Sequence, residues 1–532
     1  MSTIKEASLK QNLGDCEDVD MISQLPDELL LKVLLFLPTK VAASTSILSK
    51  RWEFLWMWLS KLEYVHSNDS VPELASLQSF IYFNLPLHKA QVIESFRLKL
   101  RKERTWTRIV KPEYINTWVV IVVSRCVREL NLNISCMRNP TSLPSSLYTC
   151  KSLVILKLKD QILVAVLPRM ACLPSLKTLF LRRVDYSYES SLQKLLSICP
   201  VLENLFVERG GLEEYSRYFN TLSVIVPSLL RLTLKISRGS QFNELVIDTP
   251  SLKYFKITDY KGEYETDGVD DSYSFNFKDM PNLEEADIIS TYPDINKFVR
   301  SIASVKRLSL CVRLNVEEAL YHEGIVFNQL EHLKLCPCDS NWSKLLVRLL
   351  KDSPNLRELE VSLNDDHKNS CVDPPVCWEN QLNCVPECLL STLGTFKWTG
   401  IHGSPKVMDL AKYILRNARC LKTATILFQS ALETEDEREI MIQEFNILND
   451  WPKFTKLILQ KSWKEMGRTF PDADRAARRF ASVDSCSKED CQREEEEDRK
   501  ECVHSYVDTL SDLELPDEKM KLNEKSRRCN GS

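Results

Sequence analysis

One apolar pattern recurs along most of this 532-residue chain and restricts its fold more than any other feature. Each copy has an apolar residue, two other residues, a second apolar residue, one other residue and a third apolar residue. Because the last two apolar residues are two positions apart, they lie on the same face of a short β-strand. The thirteen copies are Ile93/Phe96/Leu98, Val127/Leu130/Leu132, Leu153/Leu156/Leu158, Leu176/Leu179/Leu181, Leu202/Leu205/Val207, Leu229/Leu232/Leu234, Leu252/Phe255/Ile257, Leu283/Ala286/Ile288, Val305/Leu308/Leu310, Leu330/Leu333/Leu335, Leu356/Leu359/Val361, Leu393/Phe396/Trp398 and Leu421/Ala424/Ile426.

The spacing between copies indicates the kind of repeat. Most successive copies start 22 to 28 residues apart, close to the length of leucine-rich repeats, about 20–29 residues. A single unit cannot bury its own apolar face, so units stack into a solenoid with a parallel sheet on one side. Residues 191–200 and 341–354 each precede a copy and favour helices on the outer side. We therefore predict an α/β fold with a curved parallel sheet over residues 91–363, and an ordinary α/β domain with leucine-rich strands is the alternative.

The segment of residues 22–59 is rich in leucine and tryptophan and predicts three short helices. Pro26 suits the first turn of a helix, and Pro38 ends it. A second helix is expected at residues 40–47, and Ser49 can begin a third. So small a unit has more apolar side chains than it can cover. Since large exposed apolar patches mark partner sites, we expect a docking surface here.

The run LPDELLLKVLLFLPTKVAASTSILSKRW, residues 25–52, closely resembles a plant F-box, whose domain we place at residues 21–62. The resemblance implies that the segment docks on a Skp-type adaptor, which tethers it to a cullin–RING ubiquitin ligase. It also implies a set of adaptor contacts or their direct support: Leu25, Pro26, Leu29, Leu30, Leu37, Leu48 and Trp52. For each of these residues, the alternative is that it only fills a local core.

A second resemblance lies after the repeats, in VPECLLSTLGTFKWTG and LAKYILRNARCLKTATI. Both runs resemble the FBD domain that closes many plant F-box proteins with leucine-rich repeats, and we place this domain at residues 377–430. A capping unit is what the end of a solenoid requires. The expected order is strand, helix, strand at residues 393–399, 405–417 and 421–427.

Composition restricts the partners and the compartment. A net charge of −4 gives no general attraction to nucleic acid or to anionic membranes, and no apolar run is long enough to span a bilayer. Residues 1–20 contain no apolar run typical of a signal peptide, so the eighteen cysteines indicate reduced thiols in the nucleus, the cytoplasm or both. Residues 1–20 and the charged residues 481–532 are expected to be disordered, and the second of these segments departs from the family pattern.

Several other groups have both a functional and a structural interpretation. The basic residues 97–111 are interpreted as a solvated edge of the first repeat rather than a nucleic-acid site. The acidic, aromatic insert of residues 258–279 is either a binding loop or a spacer. Cys336 and Cys338 are expected to be buried thiols at a turn. Five residues could form a zinc site, but their spacing fits no pair of CxxC motifs, so we predict no metal there. These residues are His367, Cys371, Cys377, Cys384 and Cys388.

The two resemblances together imply a substrate-recognition subunit of an SCF (Skp–cullin–F-box) ubiquitin ligase. The F-box would dock the adaptor, and the repeats would bind a target protein for ubiquitination. We find no nucleotide-binding loop, zinc-protease helix or serine elbow, so we expect no catalysis and no cofactor. The alternative is a protein-interaction scaffold outside SCF complexes, with a vestigial F-box.

Overall fold

The computed structural model describes Ile22, Tyr321 and residues 25–66, 70–101, 110–135, 140–210, 221–237, 242–260, 274–290, 296–312, 324–338, 341–363, 384–401, 405–428 and 456–460. All of them belong to one compact unit, Met1–Ser462. The segments predicted to be disordered, residues 1–20 and 481–532, lie outside the described residues.

Twenty-one strands occur in the described ranges. In chain order they are β1 Lys61–His66, β2 Ser95–Arg101, β3 Glu129–Ser135, β4 Thr141–Ser142, β5 Ile155–Asp160, β6 Ile162–Val164, β7 Thr178–Arg182, β8 Asp185–Tyr186, β9 Asn204–Arg209, β10 Thr221–Ile225, β11 Arg231–Ile236, β12 Glu244–Asp248, β13 Tyr254–Asp259, β14 Ser274–Phe277, β15 Glu285–Ser290, β16 Arg307–Val312, β17 His332–Leu335, β18 Glu358–Ser362, β19 Thr395–Ile401, β20 Thr423–Phe428 and β21 Lys456–Gln460.

Nine α-helices accompany these strands in the same ranges. They are α1 Asp27–Leu34, α2 Thr39–Ser44, α3 Val71–Asn84, α4 Pro112–Ser124, α5 Ser191–Ser197, α6 Asn296–Val299, α7 Trp342–Asp352, α8 Glu387–Ser391 and α9 Pro405–Asn417. Short 3₁₀ helices occupy Thr45–Ile47, Leu55–Trp58, Ser145–Thr149 and Arg300–Ile302.

One parallel sheet of fifteen strands runs through the described residues, in the order β1-β2-β3-β5-β7-β9-β11-β13-β15-β16-β17-β18-β19-β20-β21. All thirteen predicted copies lie in it, and each of their apolar residues is at most 3% exposed. Phe96, Leu130 and Leu156 are Cα partners, and this middle position continues in register to Ala424 and Leu457. The copies therefore form one continuous apolar core, and the predicted α/β solenoid is confirmed.

The second layer contains more strands than the sequence predicts. Helices α5 and α7 occur where outer helices were expected, but β4-β6-β8 and β10-β12-β14 form two further three-stranded sheets against the same core. A strand rises about 3.3 Å per residue and a helix about 1.5 Å, so a short repeat crosses its outer side more easily as a strand. The last part of the insert at residues 258–279 is such a strand, β14, whereas residues 261–273 and 364–383 lie outside the described ranges.

The region between the F-box and the first predicted copy contains two elements. The sequence of residues 75–83 fits a helix or a strand-like link, and α3 forms there, preceded by β1, which pairs in parallel with β2. The main sheet therefore extends back to Lys61. At the other end, β19, α9 and β20 follow the strand–helix–strand order expected of the FBD segment.

Two of the three predicted F-box helices form as α-helices, α1 and α2. The third helix is of the 3₁₀ type and shorter, since residues 51–54 form turns and Leu55–Trp58 form a 3₁₀ helix. Trp52 and Leu55 are buried three positions apart, as are Trp56 and Leu59. A spacing of three is the period of a 3₁₀ helix, so this geometry brings all four side chains into the core.

We call residues 22–59 the helical module. A chain of aromatic contacts joins this module to the sheet. The ring of Trp56 lies 5.6 Å from that of Phe80 in α3, and Phe80 lies 6.3 Å from Tyr64 in β1. Tyr64 is in turn 5.8 Å from Phe96 in β2. Aromatic rings at such distances attract one another in addition to the area they bury. The helical module and the first repeat therefore share one core.

Hydrogen bonds donated by two backbone N–H groups strengthen this junction. The N–H of Glu63 in β1 donates to the hydroxyl of Thr39, the first residue of α2, over 2.8 Å, and Thr39 is buried. The N–H of Lys89 donates to the carbonyl of Met57 over 2.8 Å. Since both bonds join the module to segments of the first repeat, they limit rotation of one relative to the other.

His88 completes the junction from the side of the first repeat. Its ring is buried, and Nε2 donates to the carbonyl of Leu59 over 2.8 Å. Burial lowers the pKa of His88 below its usual value near 6.5, although the bond to Leu59 opposes this effect and the charge of Arg125 adds to it. The neutral ring is thus the form that fits the folded protein.

Removing a core leucine should cost far more stability than removing its neighbour on the other face. Leu156→Ala is expected to lower the free energy of unfolding by about 2–5 kcal/mol, because it leaves a cavity in a fully buried position. Lys157→Ala, on the opposite face of β5, should change it by less than about 0.5 kcal/mol. Urea unfolding followed by circular dichroism measures both, and equal effects would contradict the described core.

Acid should weaken the junction through His88. The folded pKa lies below the unfolded value, so the stabilisation by neutral His88 is complete above about pH 6.5 and is lost as the pH falls towards the lowered pKa. His88→Gln should therefore reduce the fall in thermal midpoint between about pH 7.5 and pH 5. The matched control is His332→Gln, whose ring pairs with Glu358 at 2.8 Å on the surface. Parallel pH profiles for wild type and His88→Gln would argue against this role.

Candidate functional site

Exposed apolar side chains are concentrated in the helical module. Among the described residues, eleven of the twenty-four large apolar side chains that are exposed lie between Ile22 and Trp58. Phe36 is 84% exposed and Ile47 is 89% exposed. We call the following set the apolar surface: Leu29, Val33, Phe36, Leu37, Val41, Ile47 and Leu48. Such a concentration on a folded unit is typical of a protein-docking site.

Helix α1 presents two apolar rows with different roles. Leu30 and Leu34 are completely buried and hold the helix on the module's core. Leu29 and Val33, one position earlier in each turn, are 42% and 48% exposed. Because residues four apart lie on one face of a helix, the second row forms a continuous strip of the apolar surface.

An ion pair holds the start of α1 to the segment after α2. The guanidinium of Arg51 lies 2.7 Å from the carboxylate of Asp27 and also donates to the carbonyl of Leu25. The pair is largely exposed, so its contribution to stability is only about 0–1 kcal/mol. Its effect is to orient Leu25 and the adjoining Pro26 next to the first turn of α1.

The structure places the seven predicted adaptor residues in two groups. Five have accessible surface: Pro26 is exposed, Leu25 is partly buried, and Leu29, Leu37 and Leu48 are 42%, 36% and 63% exposed. The other two, Leu30 and Trp52, are buried in the core. Of the two predicted roles, contact or direct support, burial leaves only support open to Leu30 and Trp52.

Three exposed apolar residues of the module, Val33, Phe36 and Ile47, are not among the adaptor contacts expected from the sequence. Val33 could have been found from its spacing of four residues from Leu29. Phe36 and Ile47 lie at the ends of helical segments, where helical periodicity does not predict which side chains face outward. Their exposure of 84% and 89% is decided by the packing of the module.

The second candidate site is the open face of the sheet, formed by residues that alternate with the buried apolar positions. Its charges are mostly compensated across neighbouring strands. Lys256 in β13 lies 2.9 Å from Asp287 in β15. Glu360 in β18 lies 3.5 Å from Lys334 and 3.4 Å from Lys397 on the two adjacent strands. Cross-strand pairs of this kind give the face a patterned but nearly balanced charge.

An aromatic stack interrupts this charged pattern. Phe180 in β7 and Phe206 in β9 lie parallel with their ring centroids 4.0 Å apart. The ammonium group of Lys159 lies 4.7 Å from the ring of Phe180. Phe206 is partly buried, whereas Phe180 and Lys159 are only 7% and 3% exposed, so this stack mainly packs the neighbouring strands together.

The basic segment of residues 97–111 is only partly described. Arg97 pairs with Glu63 on the adjacent strand at 3.3 Å, and β2 ends at Arg101. Residues 102–109 lie outside the described ranges. Arg97 is therefore charge-compensated, but β2 is flanked by β1 and β3 and is not an edge of the sheet, so the interpretation of residues 97–111 as a solvated edge stays a prediction.

A cavity of about 550 Å³ lies between β8 of one three-stranded sheet and β10 of the other, which do not pair. Gln193 occupies this break, and its side-chain amide exchanges two hydrogen bonds with the backbone of Ile225 on the edge strand β10. The guanidinium of Arg209 lies 5.6 Å from the ring of Tyr186, and burial lowers the pKa of Arg209. The cavity is lined by Tyr186, Tyr188, Glu189, Ser190, Leu192, Gln193, Arg209, Thr221, Leu222, Ser223 and Phe242.

The structure does not test the zinc group considered from the sequence. Three of its members, His367, Cys371 and Cys377, lie outside the described residues. Cys384 is exposed, whereas Cys388 is buried and its thiol donates to the carbonyl of Leu350 over 3.2 Å. Burial raises the pKa of Cys388 to about 12, which favours the protonated thiol.

None of the helices in the described ranges combines the length and the apolar character that crossing a bilayer requires.

Three family models match this chain. The F-box domain matches residues 22–64, the LRR repeats of an FBD-associated F-box protein match residues 115–285, and FBD matches residues 380–426. A solved LRR protein from Leptospira interrogans aligns at 14% identity and a TM-score of 0.32, over 76% of this chain and 91% of that chain. A score this low adds nothing to the assignment.

Relatives in Arabidopsis thaliana resemble the chain over nearly their full length. A putative F-box/LRR-repeat protein is 65% identical over 77% of this chain and 96% of its own. A putative F-box/FBD/LRR-repeat protein is 55% identical over 82% and 98%, and an FBD-associated F-box protein is 48% identical over 81% and 97%. The chain therefore belongs to the plant family of F-box proteins that carry leucine-rich repeats and an FBD domain.

Proposed function

We propose that this protein is the substrate-recognition subunit of an SCF ubiquitin ligase. The observation that carries the proposal is the apolar surface, which is exposed on a module whose own core is already filled by Leu30, Leu34 and Trp52. F-box domains in general bind Skp-type adaptors. The apolar surface is where such an adaptor would dock, and it would link the chain to a cullin–RING ligase.

The mechanism follows from how the two sites are joined. The aromatic chain from Trp56 to Phe96 and the bond from Glu63 to Thr39 hold the module firmly on the first repeat. A target bound by the sheet would therefore be held at a restricted distance from the ligase. Such tethering raises the effective concentration of a target lysine near the ubiquitin thioester. In this mechanism the chain performs no covalent step itself.

The open face of the sheet is the proposed target-binding surface. Charged side chains such as Lys256, Asp287 and Glu360, which are partly exposed on this face, provide specificity. We propose a protein target and assign no nucleic acid or membrane to this face. The proposed location is the nucleus, the cytoplasm or both, where SCF ligases meet reduced, folded targets.

An interaction scaffold with a vestigial F-box is the alternative. It would bind partners through the same sheet and would not engage a Skp-type adaptor. Adaptor affinity and co-purification of the cullin with the full chain distinguish the two functions.

Truncating two exposed leucines should weaken adaptor binding without unfolding the protein. Leu29→Ala combined with Leu48→Ala is expected to raise the dissociation constant for a purified Skp-type adaptor at least about tenfold, because both side chains lie on the apolar surface. Calorimetry measures the affinity, and circular dichroism with thermal melting reports the fold.

The matched control combines Val166→Ala and Met170→Ala, which remove apolar side chains that are 74% and 83% exposed outside the module. The control should bind the adaptor like the wild type. If the Leu29/Leu48 variant is folded and binds the adaptor as tightly as the wild type, the proposed docking surface is wrong.

The same variant separates target binding from ligase recruitment. In plant cells, wild type and the Leu29/Leu48 variant should capture the same target through the repeats, but only the wild type should co-purify the cullin. Targets should accumulate severalfold with the variant because they are held without being ubiquitinated. Recovery of the cullin with both proteins would favour a different route to the ligase, and recovery with neither would favour the scaffold.

A further inference from the structure

Three thiols meet at the carboxyl ends of two neighbouring strands. Cys311 is in β16, and Cys336 and Cys338 follow β17 on either side of a proline. Their Sγ atoms all lie within 4.8 Å of one another, and those of Cys311 and Cys338 are 3.6 Å apart. From these contacts we propose that Cys311, Cys336 and Cys338 bind one thiophilic metal ion of the class of Cu(I) and Zn(II).

The backbone holds two of these ligands rigidly. Cys311 is a Cα partner of Ile289 on the neighbouring strand β15. On the other side, the N–H of Cys336 donates to the carbonyl of Leu310 over 2.9 Å, which continues the ladder beyond the end of β17. Because both thiols are held by a hydrogen-bonded sheet, a metal ion would require little rearrangement.

The surroundings of the cluster suit a soft ion. Cys311 and Cys336 are 3% and 6% exposed, and Cys338 is partly buried. Ile289 packs in the same small apolar cluster, with Tyr260 and Leu363 at its border. Thiolates select Cu(I) and Zn(II) over harder ions, and an apolar border excludes competing water. The partly accessible Cys338 gives the ion a way in.

Three thiolates complete the coordination of Cu(I) but not that of Zn(II). Cu(I) is satisfied by three soft ligands, whereas Zn(II) requires a fourth ligand, which in a site of three protein ligands is water or another exchangeable molecule. In either case each coordinating thiol releases its proton to solvent as the bond to the metal forms. No oxidation or reduction is involved.

Cys336 is buried as the sequence predicts, whereas Cys338 is only partly buried. Cys311 belongs to the preceding repeat and lies twenty-five positions before Cys336 in the sequence. Only the stacking of β16 on β17 brings the third sulfur to the other two.

The test uses the full-length protein, purified without chelators and with a phosphine reductant. Metal content is measured by mass spectrometry of the elements after reconstitution separately with Zn(II) and with Cu(I), followed by desalting. About one ion per chain is expected for at least one metal. Cys338→Ala should lower the retained amount at least about tenfold.

The matched control is Cys420→Ser, which changes an exposed cysteine outside the cluster and should retain metal like the wild type. A rise in thermal midpoint on adding the retained metal, absent in Cys338→Ala, would support a site in the folded protein. Wild type that retains neither metal overturns the proposal. Equal retention by Cys338→Ala, or a mass lower by two hydrogens that shows a disulfide within the cluster, overturns it as well.

Discussion

The structure depends on one ladder of apolar side chains that runs in register across the main sheet. Leu62, Phe96 and Leu130 begin it, and each later strand adds one side chain at the same position. No single repeat could bury these residues, since each contributes only a short strand with one apolar face. Burying one such side chain contributes about 1.5–3 kcal/mol, so stacking drives both the folding of each unit and its alignment with the next. The alignment of the strands also places the charged side chains on the open face of the sheet.

The helical module packs on the first strands of this ladder. In the proposed function, its position has a consequence. Trp56 joins it through Phe80 and Tyr64 to Phe96, so the module's core and the solenoid's core are continuous. A flexible linker would let the two binding surfaces separate, whereas a shared core keeps them in fixed relation. In the proposed function, that relation would help to present a target to the ligase. The filled core also explains why Leu29 and Leu48 remain exposed, because no space is left for them inside.

The thirteen copies were predictable from sequence because buried strands require a strict spacing of apolar residues, and all thirteen occur. One further copy, Leu59/Leu62/Tyr64, is not among the predicted ones, because its first residue also belongs to the F-box run. The second-layer strands were harder to find, since β4 and β8 have two residues each and show no period. The type of the third F-box helix could not be predicted, because a run of bulky apolar residues does not distinguish an α-helix from a 3₁₀ helix.

By itself the sequence determined the repeat, its parallel sheet and the family, because these follow from apolar spacing and from motifs read along the chain. Tertiary structure alone decided which leucines of the F-box face outward, since Leu29 and Leu30 are adjacent and chemically identical. It also decided that Cys311 meets Cys336 and Cys338, and that Phe180 stacks on Phe206. The physical reason is the same in each case: contacts between repeats depend on the register of stacked strands, which pairs residues more than twenty positions apart.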